Sequence, residues 1–174
     1  MVSNRPAHPI EKVAAVVSDA GGRIVGRTRL QKIAYLLEAA GVGDGFEFEY
    51  RHYGPFSEGL ASAARTATLL DLIDEVEEPT SWGGFYSVYS LKAYASEQVD
   101  SVRRTLAKRA AEANSVELEL AATAAYLHAT GVDDAWGETA RRKPDKVGGG
   151  RLDRAKALYE ELRKLPTPKA LPAI

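Results

Sequence analysis

Two neighbouring runs constrain this chain more than anything else in it. The first is Gly26-Arg27-Thr28-Arg29-Leu30-Gln31-Lys32-Ile33-Ala34-Tyr35-Leu36-Leu37, and the second is Tyr50-Arg51-His52-Tyr53-Gly54-Pro55-Phe56-Ser57. Each contains a helix start. Thr28 stands three residues before Gln31, the spacing of a capping box. Ser57 follows a Gly-Pro turn, where its hydroxyl can cap the next helix. Between them Phe46-Glu47-Phe48-Glu49-Tyr50 alternates aromatics with carboxylates, as a half-buried strand does. A helix–strand–helix unit follows.

The rest of the chain extends that unit. Ile10, Val13, Ala14 and Val17 share a face of a helix over 9–20 that starts at Pro9 and stops at Gly21-Gly22. Leu30, Ile33, Ala34 and Leu37 form the inward stripe of a central helix over 28–40. The spacing of Leu60, Ala63, Ala64, Ala67 and Leu70 predicts a third helix over 57–72. Strands are expected at 46–51, 73–77 and 85–91, the last two joined by a Gly-containing turn around Trp82. A long helix over 94–113 carries Val99, Val102 and Leu106 on one face. Asn114 or Ser115 caps another, a shorter helix runs from about Asp133 to Arg142, and a last one covers 151–165. The expected fold is therefore mainly α with a small β element. A winged-helix-like half (1–91) packs against a C-terminal helical bundle (92–165) as one compact unit, and a proline-containing flexible tail (166–174) follows.

Composition narrows the function classes. The chain has 174 residues and no cysteine, which excludes disulfides, thiolate metal sites and a cysteine nucleophile. Its apolar stretches are too short to cross a bilayer and no signal-type run opens it, so a cytoplasmic protein without membrane partners is expected. The net charge of −1 is unevenly spread. Residues 1–91 hold 8 Lys+Arg against 12 Asp+Glu, and residues 92–174 hold 15 against 12. The half shaped like a DNA-binding module is thus the acidic one, and duplex affinity depends on phosphate neutralisation.

Leu30-Gln31-Lys32-Ile33-Ala34-Tyr35-Leu36-Leu37 resembles the LQKLxYxx helix of Panacea-domain proteins, the SocA-like antitoxin and phage-associated group. Tyr53-Gly54-Pro55 with Ser57 and Leu60 resembles the YGP(Y/F)SxxL segment of the related YwgA-type proteins. Lys143-Pro144 and a final helix with Ala155 and Leu158 are similar to the C-terminal half of that second group. The resemblance runs over about 10–165 and implies an all-helical core with a small β element. The Panacea branch implies a non-enzymatic role: neutralising a toxin or acting as a protease adaptor.

No constellation of catalytic residues stands out. His8, His52 and His128 are isolated from one another and from paired ligands, so no metal or cofactor site is assigned. Gly148-Gly149-Gly150 lacks the flanking pattern of a phosphate loop and reads as a linker. The candidate contact residues are the aromatics Tyr53, Phe56, Trp82, Phe85 and Tyr86, because clustered exposed aromatics mark interfaces. The candidate cations for nucleic acid or an acidic partner are Arg65, Arg103, Arg104, Lys108, Arg109, Arg141, Arg142 and Lys143. The first reading is a non-enzymatic protein-interaction module, an antitoxin or adaptor tied to a mobile element or phage defence. The second is a winged-helix transcriptional regulator that binds duplex DNA as a homodimer.

Overall fold

The computed structural model describes residues 7–92 and 101–174. The elements run α1 (Pro9–Asp19), β1 (Arg23–Val25), α2 (Arg27–Ala39), β2 (Glu49–Arg51), β3 (Gly54–Phe56), α3 (Glu58–Leu69), β4 (Ile73–Pro79), β5 (Phe85–Leu91), α4 (Val102–Glu112), α5 (Ser115–Ala129), α6 (Ala135–Arg142) and α7 (Arg151–Arg163). The expectation of helix over 94–100 lies outside the described residues. β1, β5 and β4 form an antiparallel sheet in that order, and β2 pairs with β3 in a separate hairpin.

Several helix starts follow local chemistry, those of α3, α5 and α6 among them. Ser57 Oγ accepts the Leu60 N–H at 3.2 Å and starts α3. Asn114 Oδ1 accepts the Val116 N–H at 2.9 Å and starts α5. Asp134 Oδ1 does the same for Gly137 at 2.9 Å in α6. Each bond satisfies one of the donors that a helix N-terminus leaves open. The Thr28–Gln31 capping box does not form. Gly26, with φ of 100°, is the cap residue of α2 and supplies no side chain. Its N–H is held by Ser87 C=O at 2.7 Å, so the sheet sets where α2 begins.

Among the described residues one core runs from Val13 in α1 to Leu171 near the end of the chain. α2 buries eight consecutive residues, Leu30 to Leu37, which requires cover on more than one side. The alanine-rich α5 buries nine of its fifteen residues. Small side chains let neighbours approach closely, and α5 packs on α2, α6, α7 and the β3 strand. α2 in turn packs on α1 and α4.

This architecture corrects the expected fold class. The chain is 52% helix and 14% strand, with seven helices and a small antiparallel sheet among the described residues: a mixed α/β protein rather than a mainly α one with a winged-helix-like half. The physical reasons lie between α2 and α3 and beneath α2. Only Glu49–Arg51 of the expected 46–51 strand pairs as a strand, and it folds back on β3 instead of joining the main sheet. Phe48 and Tyr50 pack instead near Tyr35 and Tyr126, with ring centroids 5.4 Å apart for Phe48–Tyr35 and 6.1 Å for Tyr50–Tyr126. Residues 7–91 therefore share their core with α5, which packs on α2 and β3.

Residues 166–174, marked for a flexible tail by their prolines, lie against the helices. Leu171 is buried, the Lys169 N–H donates to Ala40 C=O at 3.1 Å, and the Tyr159 hydroxyl donates to Pro172 C=O at 2.9 Å.

Candidate functional site

The runs 26–37 and 50–57 meet at one place. The β2–β3 hairpin lies across α2, and its junction with α3 is clamped by Gln31. The Gln31 Nε2 donates to Ser57 C=O at 3.0 Å, and the Ser57 N–H donates to Gln31 Oε1 at 2.8 Å. Two residues before Ser57, the Pro55 C=O accepts from Lys32 Nζ at 2.7 Å. Lys32 is 2% exposed. Burial lowers its amine from 10.5 to about 7; nearby Glu119 opposes this, and Lys143 and Lys146 reinforce it.

A second buried cation holds the same hairpin from the other side. Lys143 Nζ donates to His52 C=O at 3.0 Å and to Glu119 Oε1 at 2.7 Å. Lys146 Nζ donates to both Glu119 oxygens at 2.7 Å. Glu119 and Lys143 are both buried, so their charges need each other. Gly54, with φ of 86°, lies against Thr123 of α5 so closely that a methyl group there would meet Thr123 Oγ1. That hydroxyl is buried and has no hydrogen-bond partner.

These constraints shape a cavity of about 480 Å³ between α2, the hairpin, α3 and the sheet. Leu30, Phe56, Ala61, Ala64 and Tyr89 contribute apolar surface, and Arg27, Arg51, Arg65 and Tyr53 stand among its other walls. The three guanidiniums are paired. Arg27 Nε donates to Glu75 at 2.8 Å, Arg51 meets Glu49 at 2.5 Å and Glu58 at 3.3 Å, and Arg65 meets Glu58 at 3.3 Å. They keep exposed edges all the same. Arg51 also covers the Phe56 ring at 4.5 Å, and Lys146 Nζ lies 4.8 Å from the Tyr53 ring centroid.

No known family model, curated protein or solved structure matches this chain.

The candidate aromatics fall into two groups. Tyr53, 51% exposed, and the half-buried Phe56 line the cavity. Trp82 and Phe85, 84% and 72% exposed, stand at the tip of the β4–β5 hairpin. Register places Phe85 on the same sheet face as Tyr89 and Glu75, which line the cavity. Tyr86 points to the opposite face, where its hydroxyl donates to Glu78 at 2.6 Å.

The candidate cations do not form one stripe. Arg103 donates to Asp19 at 2.6 Å, to Asp44 at 2.8 Å and to Val42 C=O at 2.8 Å, which makes it a structural clamp. Arg109 pairs with Glu161 at 2.5 Å, and Arg141 and Arg142 both pair with Glu138. Arg142 also lies over the Tyr50 ring at 4.6 Å. Lys143 is buried beside Glu119. Arg104 and Lys108 make no ion pair among the described residues. On α3, Arg65 is tied to Glu58 and Ser62, and the neighbouring β4 carries Asp74, Glu75, Glu77 and Glu78. The surface expected to read a duplex is thus charge-paired and flanked by carboxylates, poor equipment for holding phosphate.

Sequence reasoning missed Lys32 and Glu119. A signal for each was present. Lys32 directly precedes the apolar run Ile33 to Leu37, and Glu119 is the one charged residue between Leu118 and Leu127. A lone charge among apolar helix positions needs a buried partner, and here Lys143 supplies one for Glu119. Among the described residues no group of acids and histidines could hold a metal ion, and no helix is long and apolar enough to cross a membrane.

Proposed function

We propose that this chain is a non-enzymatic protein-interaction module whose cavity receives a large apolar side chain from a partner segment flanked by carboxylates. The observation that carries this reading is the cavity of about 480 Å³ with apolar lining beside Tyr53, Arg51 and Arg65. Tyrosine and arginine around a pocket are the residue types that dominate binding energy at protein interfaces. The guanidiniums keep exposed edges beside their ion pairs, and the N–H groups there can donate to a further carboxylate. The polar groups of the floor are engaged in holding the fold: Gln31 with Ser57, and Lys32 with Pro55. That engagement suits recognition better than catalysis. Phe85 and Trp82 extend the contact surface beyond the cavity, and Arg104 and Lys108 add positive charge for steering an acidic partner. An antitoxin or adaptor works in this way, by holding another protein.

The test is co-purification of the tagged protein with its partners, in parallel with Ala61→Trp, which fills the cavity from α3. The expected result is a stoichiometric partner bound by the wild type and lost from Ala61→Trp, at an unchanged unfolding transition. Recovery of no stoichiometric partner, or full retention by Ala61→Trp, overturns the reading.

A further inference from the structure

β4 lies at the end of the three-stranded sheet, with β5 on one side and no strand on the other among the described residues. Its ladder phase can be worked out. The Thr80 N–H donates to Gly84 C=O at 2.7 Å, which makes Thr80–Gly84 a hydrogen-bonded pair. Bonded and non-bonded pairs alternate along an antiparallel ladder. Glu78–Tyr86, Val76–Val88 and Asp74–Ser90 are then the bonded pairs, and Glu75–Tyr89 and Glu77–Ser87 lie between them. β5 agrees from its other side. Ser87 C=O accepts from Gly26 at 2.7 Å and the Leu91 N–H donates to Gly22 C=O at 3.1 Å, so these residues face β1. The backbone N–H and C=O of Glu75 and Glu77 therefore point outward from the sheet edge. Pro79 has the same phase, and a proline is tolerated where the N–H would face away from the ladder.

The edge is acidic. Asp71, Asp74, Glu75, Glu77 and Glu78 face three cations, Arg23, Arg27 and Lys92, so the carboxylates are in excess. Val76, 55% exposed, adds an apolar side chain at the same edge.

We propose that β4 is a strand-addition site, which pairs through the backbone of Glu75 and Glu77 with an extended basic segment of a partner protein. Main-chain hydrogen bonds hold such a strand, and its alternate side chains read the flanking ones. Lysine or arginine on the added strand offsets the surplus carboxylates. A second copy of β4 would set like charges side by side, which opposes self-pairing. This surface goes beyond the cavity: the Glu75 side chain lines the cavity, whereas its backbone faces the edge.

The experiment titrates a labelled peptide alternating lysine and valine, and its glutamate–valine counterpart, against the full chain. The lysine peptide is expected to bind saturably and to protect the Glu75 and Glu77 amides from hydrogen exchange. The glutamate peptide should not bind. Glu77→Pro removes one outward N–H at a phase where Pro79 already fits, and should weaken binding at least about tenfold, the loss of roughly one good hydrogen bond. Glu77→Thr keeps the N–H and should weaken it only about threefold. Absence of amide protection in the wild type overturns the proposal whether or not Glu77→Pro folds. So does equal weakening by the two variants, which would reduce the effect to charge attraction. A dimer of the chain that Glu77→Pro dissociates, without peptide binding, would make a second copy the occupant and overturn it too.

Discussion

The amide of Gln31 closes a ring of two hydrogen bonds with the backbone of Ser57, at 3.0 and 2.8 Å, and so ties the middle of one helix to the start of another. Both Ser57 groups are buried with it. Gln31→Leu fills the same space but leaves a buried N–H and a buried C=O without partners, at about 1–3 kcal/mol each. The expected loss is about 2–4 kcal/mol in urea unfolding, with an unchanged slope. A loss below about 0.5 kcal/mol would show that water replaces the amide.

Gly54 and Thr123 form a second close approach. Gly54→Ala forces a methyl group onto Thr123 Oγ1 and a side chain into a positive-φ conformation. The expected cost is about 2–4 kcal/mol. Thr123→Ala relieves the clash but not the backbone strain, so the double variant should recover part of the loss. Thermal unfolding of all three chains gives the coupling term. Simple additivity would mean that the hairpin moves away instead.

The Glu119 cluster should respond unequally to its members. Glu119→Leu leaves the buried ammonium of Lys143 facing an apolar side chain, and should cost about 3–5 kcal/mol. Lys143→Met leaves Glu119 with Lys146, which still donates to both its oxygens. That variant should lose less, and Lys146→Met, at a more exposed position, least of all. Denaturation midpoints for the series check the order.

Lys32 predicts a pH dependence. Its amine releases its proton at about 7 in the folded chain, against 10.5 ordinarily. Between those values the unfolded chain carries more protons, so stability rises with pH, by at most about 1.4 kcal/mol per pH unit. Below about pH 7 both states are protonated and this contribution to the slope vanishes. Urea unfolding at pH 7, 8 and 9 should show the rise in the wild type and a smaller one in Lys32→Met, which has no amine to titrate. Parallel slopes would place the proton on Lys32 in both states.

What could be read from the sequence was what neighbouring residues decide. Ser57 caps α3, and Asn114 caps α5, because a hydroxyl or amide two or three residues from an open N–H needs no distant help. The aromatic side of Phe46-Glu47-Phe48-Glu49-Tyr50 is partly covered while its carboxylates are exposed, as alternation requires. Thr28 failed as a cap because β5 holds Gly26 and starts α2 early, a contact from far along the chain. The fold class failed for the same reason. Helical periodicity shows that α5 is apolar, but not that it completes the core under α2 and the hairpin. The cavity was half legible. Tyr53 and Phe56 were marked by type, whereas Lys32, Glu119 and Lys143 converge from three separate segments that no spacing rule connects.

The docked end of the chain has a practical consequence. Pro166 to Ile174 looks like spare length, yet it seals one side of the bundle with Leu171 and gives the Tyr159 hydroxyl its acceptor. A protease that clipped after Leu165, or a shortened version cut there for convenience, would wet the interior around α7 and loosen the protein from a point remote from any surface on which it acts.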